Sequence, residues 1–246
     1  MSLDALEGIL ARRRSEAASG TFIVGITGGV AAGKSTLARD LAARIALWPT
    51  SLNVEVVGSD GFLYDNRTLE AAGLTLRKGR PETYNAGHLA EVLGAVRSGP
   101  AEFPGYSHTL YDIDPALSRT LDKPGVLFVE GLGLGGAPVD VLIYLHASEA
   151  DLEAWYVKRF LGLWEEGRTN PASFYARFSA MTLEQVRGFA RQVWEGINLP
   201  NIREHVAPLR EAAQIVVEKS SRHDIDRVTE RRFGETKEGA AGSNGA

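Results

Sequence analysis

The sequence predicts an α/β protein in which a mostly parallel sheet carries helices on both faces. Three observations lead there. Short apolar, β-prone runs alternate with amphipathic helix-prone runs, the order that parallel strands with crossover helices require. One strand-like run passes into a helix-like run through a complete glycine-rich loop, Gly28 to Ser35. Two carboxylates, Asp60 and Glu130, stand at the ends of apolar runs, where open parallel sheets bind their ligands.

The elements follow in chain order. Leu3, Leu6, Ile9 and Leu10 form one stripe and predict a short helix over residues 3 to 14. Thr21 to Thr27 is a first strand. The segment Gly28-Gly29-Val30-Ala31-Ala32-Gly33-Lys34-Ser35 then spells G-x-x-x-x-G-K-[ST]. Strand, loop and helix together make the phosphate-binding unit of a P-loop NTPase fold, in which backbone N–H groups converge on phosphate oxygens. Leu37, Leu41 and Ile45 give the following helix, Ser35 to Ala46, its buried face, and Pro49 stands beyond its end. Asn53 to Gly58 is a second strand, and residues 63 to 85 are polar and irregular. Ala86 to Arg97 is helical. Residues 99 to 124 show no clear period and are long enough to be functional rather than a plain connector. Val126 to Val129 is a buried strand closed by Glu130, and Val141 to Leu145 is another. Ser148 with Asp151 marks a helix start, Thr182 with Gln185 a capping box, and Ala213 to Glu218 a late strand. This gives a short N-terminal helix within 1–20, a P-loop domain over 21–234, and a Gly- and Ala-rich tail, 235–246, expected to be disordered.

Bulk properties narrow the classes. At 246 residues the chain suffices for one large domain, and 44% hydrophobic with 24% charged residues is a soluble globular balance. A net charge of −4 gives no basic field for nucleic acid. The absence of cysteine excludes disulfides and cysteine-based metal sites. No apolar run is long enough to span a bilayer. The N-terminus, with Arg12-Arg13-Arg14, lacks a secretory core. A cytoplasmic protein without nucleic-acid or membrane partners is expected.

The chemistry-bearing residues point to a nucleoside triphosphate and Mg²⁺. In such a loop Lys34 reaches the β- and γ-phosphates and the Ser35 hydroxyl holds the metal. Thr36 extends the loop's polar rim. Asp60 offers a carboxylate that can orient an acceptor hydroxyl and take its proton; it can equally cap the turn before Gly61. Glu130 resembles the acidic end of a Walker B strand and can hold Mg²⁺ directly or through water. Leu152, Trp155, Tyr156, Arg159, Phe160 and Leu163 share one helix face. Arg159 within that stripe can snorkel to water or aim its guanidinium at transferring phosphate oxygens. Arg168 is a weaker candidate in a following turn. Tyr106 to Asp112 gathers hydrogen-bonding aromatics, consistent with a self-packed loop or a binding site.

At this point the chain resembles bacterial type I pantothenate kinases, from about Phe22 to Phe233. The phosphate loop continues as S-T-x-A-R to Arg39. The other shared segments are S-D-G-F at Ser59 to Phe62, K-G-x-P-E-[ST]-Y at Lys78 to Tyr84, Y-S-H-x-x-Y-D at Tyr106 to Asp112, and V-E-G-L at Val129 to Leu132. W-Y-x-x-R-F-L at Trp155 to Leu161, the Asn201 to Arg210 region, and K-S-x-x-H at Lys219 to His223 complete the series. The resemblance implies ATP-dependent phosphorylation of the primary hydroxyl of pantothenate, the first step toward coenzyme A. It implies Asp60 as base and Arg159 as stabiliser of the transferred phosphoryl. Tyr106, His108 and Tyr156 would contact the acceptor, with Tyr111 and His205 as further candidates, and His223 would lie beside adenine. Arg39 and His108 match positions linked to feedback by coenzyme A, and a homodimer is implied.

The chain also departs from the family. Only about twenty residues precede the first strand, where the family carries a longer helical extension. His205 stands where the family has a pantothenate-contacting asparagine, Leu163 where it has a phenylalanine, and Arg80 where it has a phenylalanine before P-E-S-Y. The connector after Gly131 is shorter. These changes touch the acceptor side, so another alcohol (uridine, ribulose phosphate or a sugar) stays open beside pantothenate. A regulatory GTPase-like switch is the competing class. The guanine-reading N-K-x-D motif is absent, and Asp122-Lys123-Pro124-Gly125 precedes its strand instead of following one.

Overall fold

The computed structural model describes residues 3–18, 20–48 and 52–231. Pro49 and the tail at 235–246 lie outside them. The strands are β1 (Phe22–Gly28), β2 (Val54–Gly58), β3 (Pro100–Phe103), β4 (Tyr106–Ser107), β5 (Asp112–Ile113), β6 (Arg119–Asp122), β7 (Val126–Glu130), β8 (Val141–His146), β9 (Ile215–Lys219) and β10 (Ile225–Glu230). The principal helices are α1 (Leu3–Glu16), α2 (Lys34–Ile45), α3 (Asn66–Ala71), α4 (Ala86–Ala95), α5 (Glu149–Gly167) and α6 (Leu183–Val193).

Six strands form the main sheet in the order β10-β9-β8-β1-β7-β2. All its pairings are parallel except β9 with the edge strand β10. Successive side chains of a strand face opposite sides, and both sides are covered. Val24, Ile26 and Phe128 pack with Leu6 and Leu10 of α1, Leu37 and Leu41 of α2, and Leu152 of α5. Ile23, Leu127 and Val129 pack on the other face with Leu89, Val92 and Leu93 of α4. Strands buried on both faces read as continuous apolar runs, which is why β1, β7 and β8 are visible in sequence.

Register positions the site. Ile26 pairs with Glu130, Gly58 with Glu130, and Gly28 with Leu145. The phosphate loop, Glu130 and the turn carrying Asp60 therefore leave the sheet side by side at its carboxyl edge. A third apolar cluster lies above it, where Phe160 and Trp164 of α5 meet Val186 and Ala190 of α6 around Tyr175.

Two expectations change. Residues 99 to 124 are not structureless: β3 pairs with β6 and β4 with β5 in short antiparallel ribbons. Residues 63 to 85 contain α3 and tight turns at Thr75–Arg77 and Pro81–Thr83. Strands of two to four residues and a single-turn helix are too short to show a period. The segment after α6 holds two π-helical turns, Trp194–Asn198 and Ile202–Val206. Such turns are often found at functional sites.

Candidate active site

The phosphate loop is built as its sequence requires. Gly28 has φ 146°, and a Cβ there would stand 2.3 Å from the Leu145 carbonyl oxygen. Any side chain would therefore push the loop off β8. Gly33 caps α2 in a left-handed conformation, leaving the first N–H groups of α2 without a side-chain cap. These free N–H groups form an anion site. Ala31 also has a positive φ, 64°, a strained conformation of the kind found at ligand loops. Lys34 Nζ donates to the carbonyls of Gly28 at 3.1 Å and Gly29 at 2.9 Å, tying the loop closed. Burial pulls the Lys34 pKa below its ordinary value, opposed by Glu130 and Asp60 and assisted by Arg159. Bringing phosphate oxygens to this ammonium would relieve that cost.

Ser35 Oγ donates to Glu130 Oε1 at 2.8 Å. A hydroxyl beside a carboxylate, next to a phosphate site, is an oxygen-only donor set suited to Mg²⁺. Asp60 sits in the tight turn Ser59–Phe62 that follows β2. That turn is pressed against the β3–β4 connection: a Cβ on Gly61 would meet the Pro104 carbonyl oxygen at 2.1 Å. Asp60 Oδ1 accepts a hydrogen bond from the Tyr84 hydroxyl at 3.0 Å. Tyr84 is buried, and burial followed by the Asp60 charge raises its pKa well above the ordinary value. It stays a donor, fixing Asp60 Oδ1 at a residue that lines the cavity.

The cavity, about 1390 Å³, opens over this edge. That volume is enough for two substrates. Asp60, Glu130, Lys34, Ser35 and Thr36 line it, as do Val30, Ala31 and Gly33. Arg159 of α5 lines it with no hydrogen bond or ion pair among the described residues, so its guanidinium is unengaged. Tyr106, His108, Tyr111 and Tyr156 also line it. Tyr106 and Tyr111 frame Lys78, whose Nζ lies 5.1 and 4.4 Å from their ring centroids. Burial raises the phenol pKa of both, and pushes Tyr156 up to about 12 against an opposing bond from Asn198. These phenols remain neutral hydrogen-bonding groups at physiological pH.

His223 stacks on Trp155, with ring centroids 3.6 Å apart, and both line the cavity. Lys219 Nζ lies 3.3 Å from His223 Nδ1 and donates to the Ala32 carbonyl at 3.1 Å, joining this stack to the phosphate loop. Burial lowers the His223 pKa, reinforced by Lys219 and Lys158.

Not every sequence candidate reaches the cavity. Gly28, Gly29 and Ala32 stand behind the loop surface, shaping it. His205 does not line the cavity; it lies in the second π-helical turn, with Nε2 3.6 Å from Glu204 Oε2. Arg80 is likewise absent from the lining, whereas Leu163 and Arg39 are part of it. The structure adds Lys78, Tyr84, Trp155, Tyr175, Asn198 and Lys219. Lys78, Tyr84 and Lys219 stood inside quoted motifs and carried a signal in the sequence. Tyr175 and Asn198 had none, because they arrive through packing of α5, α6 and the π-helical turn.

Among the described residues no helix is long and apolar enough to cross a membrane. No protein-family model matches the chain. A pantothenate kinase of Sorangium cellulosum (strain So ce56) is 39% identical over 225 residues, 86% of this chain and 73% of the relative. A pantothenate kinase of Streptococcus pneumoniae (strain 70585) is 37% identical over 233 residues, 90% of this chain and 76% of the relative. Among solved structures, one described as a candidate fructose transport system kinase from Silicibacter sp. TM1040 matches with a TM-score of 0.67 at 28% identity. That match covers 87% of this chain and 95% of the other.

Proposed function

The chain belongs to the pantothenate kinase family, and on that premise we propose which of its residues carry out the transfer. The enzyme uses ATP to phosphorylate pantothenate, in coenzyme A biosynthesis. Residues 21–234 are its kinase domain, preceded by the helix within 1–20. The observation that carries the assignment is the convergence of Lys34, Asp60 and the unengaged Arg159 on one cavity.

The donor phosphates lie along the loop, held by its N–H groups and Lys34. Ser35 and Glu130 are the residues to hold Mg²⁺, which would neutralise charge on the β- and γ-phosphates. The base of ATP takes the end walled by Trp155 and His223. The acceptor lies among Tyr106, His108, Tyr111 and Tyr156, with its primary hydroxyl on the free oxygen of Asp60. As the hydroxyl oxygen attacks the γ-phosphorus in line, the bond from that phosphorus to the β,γ-bridging oxygen breaks, ADP leaves, and the hydroxyl proton passes to Asp60, held in orientation by Tyr84. Arg159 meets the charge that develops on the transferring phosphoryl. In a loose transition state this positioning matters more than base strength.

Coenzyme A as a feedback ligand and a homodimer belong to the same proposal. Arg39 and His108 both border the cavity, which supports a ligand reaching them from the active site.

The test is Asp60→Asn, which keeps the Tyr84 contact and removes the base. Acceptor phosphorylation should fall by about 10²–10⁴ while MgATP binding, followed by calorimetry, is retained. Loss of ATP binding by a folded variant would overturn the assignment.

A further inference from the structure

We propose that acceptor binding is tuned from behind the cavity wall, by an ionic clamp of Arg80 and Glu204 that joins the Thr75–Tyr84 segment to the π-helical segment. This rests on the reading of the cavity's tyrosine end as the acceptor site.

Arg80 Nη1 lies 3.2 Å from Glu204 Oε2. The arginine side chain is 16% exposed and the glutamate 55%, so the pair is half shielded from water. A second link runs beside it: Asn201, 4% exposed, donates from Nδ2 to the Gly79 carbonyl at 3.0 Å. His205 Nε2 stands 3.6 Å from the same Glu204 oxygen. Among the described residues, buried Arg80 Nε and Asn201 Oδ1 have no hydrogen-bond partner. Groups of this kind are costly to bury unless the arrangement is used.

The two clamped segments both supply residues to the cavity lining. Lys78 and Tyr84 come from one, and Tyr84 holds Asp60. Asn198 and Ile197 come from the other. Inside the first segment, Thr83 Oγ1 accepts from the Gly79 N–H and donates to the Arg80 carbonyl. A pull on Arg80 is therefore transmitted to both cavity residues. Arg80 and His205 differ from the family pattern in sequence, and here they meet through one carboxylate without touching the cavity. Arg80 and Glu204 are thus positioning residues: they fix the separation of two walls that read the acceptor and leave the ATP end alone.

The experiment compares Arg80→Ala, Glu204→Ala, the conservative Glu204→Gln and the Arg80→Ala/Glu204→Ala double variant with the wild type. Acceptor and ATP KM, kcat, and amide hydrogen exchange over 75–84 and 194–206 are measured. Each single variant should raise acceptor KM about fivefold or more, with ATP KM within about twofold, and the double variant should do no worse than either single one. Exchange should quicken in both segments together. Folded variants with unchanged acceptor KM and unchanged exchange, or single effects that multiply in the double variant, would overturn the clamp. If the wild type turns over no pantothenate, the substrate assignment fails, and the exchange measurement still decides whether the clamp exists.

Discussion

Arg159 shows how one residue can be ambiguous in sequence and specific in structure. Its place in an apolar helix stripe fits snorkelling or catalysis. The fold puts it on the cavity with no ion pair among the described residues, close enough to Lys34 to help depress the lysine's pKa. Arg159→Ala should lower kcat by about 10²–10³, typical for a lost transition-state donor, with both KM values nearly unchanged. An unchanged kcat in steady-state kinetics would contradict its role. Tyr84→Phe removes the bond to Asp60 together with the contact to the Ser59 hydroxyl, and a smaller loss is expected, about tenfold in kcat, because the hydrogen bond to a charged group is the main one at stake. The phosphate loop, Asp60 and Glu130 were legible because strand ends and glycine spacing are local. His205, a candidate only through the resemblance, lies in the second π-helical turn and not in the cavity lining.

At the scale of elements, α1 is held by charges as well as by Leu6 and Leu10. Arg44 bonds Glu7 at 2.6 Å and contacts Asp4, Trp48 Nε1 donates to Glu7 at 2.8 Å, and Arg13 bonds Glu230 of β10 at 2.9 Å. The bonds from Trp48 and then Arg44 hold the Glu7 carboxyl below its ordinary range. Burial pushes Glu230 up, but Arg12 and Arg13 outweigh it and leave it lowered. Both carboxylates thus stabilise the docked helix above the unfolded glutamate pKa of about 4.3 and lose that contribution as pH falls below it. Hydrogen exchange as a function of pH should show α1 losing protection below about pH 4, before the sheet. Concerted loss of α1 and sheet would contradict this. Because Leu3 also borders the cavity, ATP binding should weaken over the same range. The long strands and helices were readable from their periods. The ribbons β3–β6 and β4–β5 and the strand β10 were not, because their pairing depends on partners distant in sequence or exposed to water.

At the scale of the whole molecule, the phosphate loop, Asp60 and the tyrosine cluster line one cavity, the donor and acceptor halves of the proposed site. The sequence made the donor half explicit through a contiguous motif. The acceptor half is assembled from four separate segments, so its shape emerges only from tertiary packing. Chelation of divalent metal should abolish turnover, and added Mg²⁺ should restore it, if Ser35 and Glu130 hold the metal. Activity that survives exhaustive chelation would contradict that part. The most direct test of the account as a whole is acceptor-dependent ADP release by the wild-type enzyme with MgATP, measured over pantothenate, nucleosides, sugars and sugar phosphates. Fast release is expected with pantothenate and little without an acceptor; release confined to a sugar or nucleoside would overturn the pantothenate assignment.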